Sequence, residues 1–232
     1  MARRAANKPN ATERVLSRLR AMIVDGTLSP GEQIRQQDMA EQFGVSRVPL
    51  REALSVLADQ GLLEHRLHSG YFVTKRNQAE ADQIRRMLAL LEDELLSTMA
   101  WPDAQVLEGL TRLNDQIRRH AAAHEWRELI ICNREFHFRM FALSPDALIL
   151  EEVRRLWHLA DPLFAVKLGT PEASARTVVE HDAILSAVAL RDRPRLLQVM
   201  DAHRASSHPQ PSRPAAPSPR RGASARRSAA PA

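Results

Sequence analysis

Only one cysteine, Cys132, occurs in the 232 residues, so no intrachain disulfide can form. Aromatic residues are scarce at 4%, and the apolar content rests mainly on Leu, Ala, Val and Ile, which suits packed helices. No apolar run approaches the length needed to span a bilayer, so a membrane anchor is not expected. The N-terminal Met-Ala-Arg-Arg-Ala-Ala-Asn-Lys is basic but lacks the apolar stretch of a secretory signal. A cytoplasmic protein is the simplest reading, and the length allows two small domains.

The net charge of +5 is unevenly spread. Residues 1–14 hold four cations against Glu13, and residues 15–76 hold eight cations against seven anions. Residues 77–205 are acidic, with sixteen cations against twenty anions, whereas the tail from Ser206 has five Arg and no acid. A polyanionic partner is therefore expected at the ends and the N-terminal third, not along the middle.

Residues 1–11 read as a disordered basic arm. Thr12 can cap a helix with apolar positions Val15, Leu16, Leu19, Met22 and Ile23, ending at Gly26. Ser29-Pro30-Gly31 has the residues of a type II turn. A short helix packing Met39, Ala40 and Phe43 closes at Gly44, and another runs from the N-cap Ser46 to about Gln60. Leu62–Arg66 and Tyr71–Thr74 read as strands joined through Leu67-His68-Ser69-Gly70. From Gln78 six helical stripes follow, among them Ile84, Leu88, Leu91, Leu95 and Met99 on the first and Val153, Leu156, Trp157, Ala160 and Leu163 on the fourth. The Pro-, Ser- and Arg-rich residues 206–232 have too little to bury and read as a disordered tail.

Residues 44–54 carry the most functional information. Arg47 and Arg51 lie four apart on one helix face, while Leu50, Leu54 and Leu57 form another. The helix can pack by one side and offer two fork-shaped cations by the other, suited to phosphates and to guanine. The ordered set Leu28–Ile34, Met39–Arg47 and Pro49–Leu54, with the Gly-containing hairpin, resembles the GntR family of bacterial transcription regulators. The all-helical remainder resembles the ligand-binding FCD domain of the FadR-type subfamily. The resemblance implies a mainly α protein. A winged helix-turn-helix with a small β-hairpin wing would occupy 12–76, and an antiparallel helical bundle for effector binding and dimerisation 77–205. It further implies a homodimer, usually a repressor, on a palindromic double-stranded DNA operator, with a small effector altering affinity. Carried over, Ser46, Arg47 and Arg51 contact DNA, and the wing around His68 and Gly70 enters the minor groove. Gln37 stands where many relatives have a cation.

Polar residues on the inward stripes of the bundle need an explanation. Asn133 and His137 lie between Ile130 and Met140, His181 between Val178 and Ile184, and His203 after Val199 and Met200. Three such imidazoles and an amide oxygen can surround a divalent cation; equally, they can be separate core histidines bonded to backbone carbonyls or to one another. The FCD resemblance implies the former, zinc or another transition metal, because metal-binding members carry Asp-x-x-x-His and two later histidines. Here Asn133 replaces the Asp, removing one charge from the ligand set. Three neutral histidines keep the cation's full charge and favour an anionic effector completing its shell. Many such relatives bind organic acids through an Arg that is Leu88 here, leaving Arg85 or Arg139 as substitutes.

His120 and His124 flank Ala121-Ala122-Ala123 beside Arg118 and Arg119 and read as a solvated helix end. Cys132 adjoins Asn133 but points elsewhere, because a helix turns about 100° per residue. Two other classes compete with a regulator. A metallohydrolase would use the histidines, but no general base stands at fixed spacing from them. A nucleoid-type DNA binder without effector would rely on the basic tail.

Overall fold

A computed structural model describes residues 10–168 and 170–206, and over 161–167 the backbone alone. The basic arm up to residue 9, the tail from residue 207 and the side chain of Leu163 lie outside the described residues.

The N-terminal unit begins with α1 (Ala11–Val24). Its N-cap is Asn10 rather than Thr12: Asn10 Oδ1 accepts from Glu13 N (2.8 Å), and the Glu13 carboxylate accepts from Asn10 N (2.9 Å). This reciprocal box satisfies two orphan donors, which Thr12 alone cannot, and the Thr12 hydroxyl instead donates to Glu52 (2.7 Å). The Ser29–Glu32 turn closes through Glu32 N to Ser29 O (3.0 Å), with Gly31 at φ +87°, a conformation that excludes most side chains. It leads into β1 (Gln33–Ile34), a strand too short to show any period in the sequence. Next come α2 (Gln36–Phe43), α3 (Arg47–Asp59), β2 (Leu63–Arg66) and β3 (Gly70–Val73). The sheet is antiparallel in the order β1-β3-β2, with Ile34 opposite Tyr71 and His65 opposite Tyr71 from the other side. Leu19, Leu50, Leu54, Leu57 and Val73 lie in one apolar core beneath it.

Among the described residues six helices follow: α4 (Gln78–Thr98), α5 (Ala104–Ala123), α6 (Trp126–Phe141), α7 (Ala147–Leu168), α8 (Pro171–Ala189) and α9 (Arg193–Ser206). Together with the N-terminal unit they make a mainly helical protein with one small sheet, the architecture expected from the stripes. Helices adjacent in sequence pack as α5 on α6 and α8 on α9, and the bundle closes through pairs distant in sequence, α5 on α8 and α4 on α7 and α9. Phe136, Phe141, Leu95, Leu110 and Ile117 are fully buried in a second apolar core. Arg193 fastens α9 to the end of α4, donating to the carbonyls of Leu96 and of Met99 (2.7 Å for the latter) and stacking on Trp101. The two units meet where Leu159 of α7 reaches Gly61, just past α3. A β-carbon at Gly61 would stand 3.1 Å from Leu159, and Arg76 closes the contact by donating to the Gly61 carbonyl (2.7 Å).

Asn77 caps α4 with a second reciprocal box, using Glu80 (2.9 and 2.8 Å). Asn77→Ala should cost about 1 kcal/mol and lower the melting temperature by roughly 2–4 °C, whereas Asn77→Asp should restore it in the same calorimetric scan.

Candidate functional site

The helix α3 buries Leu50, Ala53, Leu54 and Leu57 completely and turns Ser46, Arg47, Val48 and Arg51 to solvent. Ser46 holds the extended backbone of an N-cap, but its hydroxyl makes no capping bond; the expected hydrogen bond is absent and the hydroxyl is exposed. Gln37 on α2 is brought against α3, its Oε1 accepting from Arg47 Nη2 (2.9 Å) while its Nε2 donates to Glu41 (3.2 Å). The pair presents one polar surface with a cation at its edge. Val48 is 63% exposed beside the arginines, an apolar contact of the kind a thymine methyl accepts, and the periodicity passed over it. In the wing, His68 is exposed and adopts φ +60°, a region that His enters more readily than most residues. The wing is tied to the strand before α2 by Gln33 Nε2 donating to Ser69 O (2.7 Å), which brings Gly70 beside the Gln36 side chain.

In the bundle, α6, α8 and α9 converge on His137, His181 and His203, whose ligand atoms all lie within 4.8 Å of one another. The residues are 2%, 0% and 7% exposed, and Asn133, one turn before His137, is 8% exposed. Phe136 stacks parallel on His181 (4.1 Å between centroids, 8° between planes), holding that ring in place. Asn133 Oδ1, His137 Nδ1 and both ring nitrogens of His181 are buried without a hydrogen-bond partner among the described residues. Each such atom costs about 1–3 kcal/mol unless something supplies the missing bond. The carbonyl bonds of an ordinary core histidine are thus not made at His181. His203 differs, with Nδ1 2.8 Å from Glu180 Oε2. A carboxylate accepts, so Nδ1 carries the proton and Nε2 is left as the donor atom, the usual support for a metal-ligating imidazole. Burial, then mutual repulsion with the other histidines, holds the His137 and His181 pKa values well below 6.5, so both are neutral, the ligating form, at neutral pH. The mutually close ring nitrogens of His137, His181 and His203, with Asn133 at the adjoining cavity, suit zinc or a related divalent transition ion.

A cavity of about 360 Å³ opens beside this cluster, lined by Asn133, His137 and His203 and by Glu92, Trp157 and Arg204. Glu92 is buried; its Oε1 accepts from Trp157 Nε1 (2.7 Å), and Arg204 Nη1 stands 3.5 Å from its other oxygen. Desolvation outweighs these partners and pushes its carboxyl up to about 7. Arg85 lines the same cavity, ion-paired with Asp82.

Comparison with known proteins accounts for both halves. Residues 11–73 match the family model "Bacterial regulatory proteins, gntR family", and residues 74–206 match the FCD domain. The chain is 31% identical over 195 residues to the HTH-type transcriptional regulator YdhC of Bacillus subtilis, covering 81% of this chain and 84% of that one. It is 30% identical over 139 residues to the Nta operon transcriptional regulator of Aminobacter aminovorans, covering 58% and 64%. The chain belongs to the GntR family. It is a DNA-binding transcriptional regulator with an FCD domain. The structure of McbR/YncC from Escherichia coli shares the fold, with a TM-score of 0.74 at 20% identity over 85% of this chain and 95% of that one.

Of the positions singled out from the sequence of this regulator, the structure gathers Asn133, His137, His181 and His203 in one place and sets Arg85 at the adjoining cavity. It does not bring Arg139 there: that guanidinium lies against Gly109 of α5, because residue 139 falls on the α6 face turned toward α5. Cys132 also points away, its thiol donating to Gln116 (3.5 Å). Glu92, Trp157 and Arg204 were missed as site residues. Glu92 had a legible signal, a carboxylate on the apolar stripe between Leu88 and Leu95. Arg204 had none, since an arginine at the end of a helix is ordinary.

The site makes the metal-free fold sensitive to acid. Below pH 6.5 the unfolded chain protonates His137 and His181 while the folded chain does not, so stability present above 6.5 is lost as pH falls. Glu92 opposes this between 4.5 and 7, where the folded chain holds a proton that the unfolded chain has lost. Chelator-treated protein should therefore lose up to about 1.4 kcal/mol per pH unit between 6.5 and 5, and Glu92→Gln should steepen this to about 2.7 kcal/mol per unit, measured by urea unfolding across that range.

Proposed function

We propose that this regulator acts in the cytoplasm as a homodimer, a FadR-type repressor on a palindromic operator. Its helical domain holds one divalent transition metal and answers to a small organic-acid effector. The observation that carries the metal and effector reading is the set of unsatisfied buried atoms on Asn133, His137 and His181 beside His203, at the wall of a cavity. His137, His181 and His203 would hold the ion, with Asn133 contributing its amide oxygen. Bound there, the metal supplies a positive charge at the cavity wall. Arg85 adds a cation at the same cavity, although it already has Asp82 as a partner.

At the other end, Arg47 and Arg51 read base edges or phosphates from α3, with Ser46 and Gln37 beside them and the wing at His68 and Gly70 placed for the adjoining minor groove. Two such helices bound one turn of DNA apart read half-sites only at that separation. A ligand that favours another separation lowers operator affinity by linkage. The role is one of binding throughout, not of catalysis.

Arg51→Ala should weaken binding to an operator selected from a random-sequence pool by about 1–3 kcal/mol, roughly five- to 150-fold, while binding to unrelated DNA falls much less. Equal losses on both DNAs would show that α3 does not read sequence. Elemental analysis after metal loading should give one ion per chain, lost in His181→Ala. Asn133→Asp, which adds a charge without changing shape, should tighten the ion at least tenfold in a chelator competition; an unchanged affinity would remove Asn133 from the ligand set.

A further inference from the structure

Beside the histidines, one cation among the described residues of the cavity has incomplete hydrogen bonding. Arg204 follows His203 on α9, and only 13% of its side chain is exposed. Its Nη2 donates to Asp93 (2.7 Å), with Asp201 at 3.7 Å, and its Nη1 stands 3.5 Å from Glu92. Both Nε and Nη1 are buried with no hydrogen-bond partner among the described residues. A guanidinium carries five donors and keeps its charge at any physiological pH, so donors left unmet in a buried place favour whatever acceptor can reach them. The other arginines of the cavity differ in this respect. Arg85 is already paired with Asp82, and Arg86 is exposed, where water and salt screen it.

We propose that Arg204 takes the carboxylate of the effector by exchanging Glu92 and Asp93 for it, and that the effector is a monocarboxylate with an apolar body. This rests on the cavity being the effector site. Among the side chains that line the cavity, this one under-satisfied guanidinium accommodates one carboxylate. A second carboxylate in the same space would meet Asp82, Glu92 or Asp201, all of which line it. Leu88, Ala89, Trp157 and Met200 form apolar wall, against which a polyhydroxylated body would give up water without gaining partners. A volume of about 360 Å³ lies at the small end of ligand sites, which also suits a compact monoacid.

The exchange has a direction. Arg204 ties α9 to Glu92 and Asp93 in the body of α4, and α4 follows the wing strand β3 after only residues 74–77. A ligand that draws the guanidinium away loosens the helix that leads out of the DNA-binding unit.

Calorimetric titration of the full-length protein separates the possibilities, with phenylacetate, phenylacetamide and glutarate as probes and metal content measured on every preparation. The expectation is that phenylacetate binds at least tenfold tighter than the other two. Arg204→Gln should lower phenylacetate affinity at least tenfold with the metal retained. Asp93→Asn, a change at a half-exposed position that weakens only the resting grip, should raise it severalfold. Unchanged phenylacetate affinity in Arg204→Gln, a loss in Asp93→Asn, a preference for glutarate, or no binding of phenylacetate by the wild type would each overturn the assignment. If these shifts appear in protein that holds no metal, the metal reading fails and the Arg204 assignment stands.

Discussion

A buried polar atom must find a partner or charge its cost to the fold, and the helical unit of this regulator is arranged around several that find none among the described residues. Asn133 Oδ1, His137 Nδ1 and both nitrogens of His181 are buried with no donor or acceptor among the described residues in reach. The apolar packing enforces this: Phe136 stacks on His181, and Trp157 lies 5.4 Å from His137 between ring centres. The same burial that leaves the imidazoles unsatisfied keeps them neutral, and neutral imidazole is the form that binds a cation. Packing and ligating power are here one arrangement, because helices that close tightly enough to exclude water also bring the three rings together.

Around that centre, charge is balanced locally. Two of the arginines that line the cavity have acids within reach, Arg85 with Asp82 and Arg204 with Glu92, Asp93 and Asp201. Glu92 is held by Trp157 of α7 and faced by Arg204 of α9, so three helices share one buried carboxylate. Such a network is sensitive to whatever enters the cavity, since a new charge must be accommodated by partners already in use. Its position on α4, the helix next in sequence to the wing, gives the sensitivity a mechanical outlet.

The DNA-binding unit meets a simpler constraint. Burying Leu50, Ala53, Leu54 and Leu57 fixes the rotation of α3 about its axis, and the arginines then have only the solvent side to occupy. The contact of Gly61 with Leu159, closed by Arg76, sets the end of that helix against α7, the helix that also carries Trp157 at the cavity.

What the sequence determined by itself was whatever depends on periodicity and on residue types with narrow conformational uses. The 3.6-residue stripes gave the helices, Pro30-Gly31 the turn, and the spacing of Arg47 and Arg51 against the leucines the exposed face of α3. The histidines were legible as polar breaks in apolar stripes. Local competition was harder to read: Asn10 with Glu13 outdid Thr12 as a cap, and two residues of β1 were too few to carry a pattern. Only the tertiary structure decided which long side chains share a space. Arg139 and Arg204 are alike in sequence, each near the end of an apolar helix, yet one lies on Gly109 and the other over Glu92. The direction of an arginine reaching across a helix interface depends on how neighbouring helices cross, and that is a property of the packed bundle, not of any segment within it.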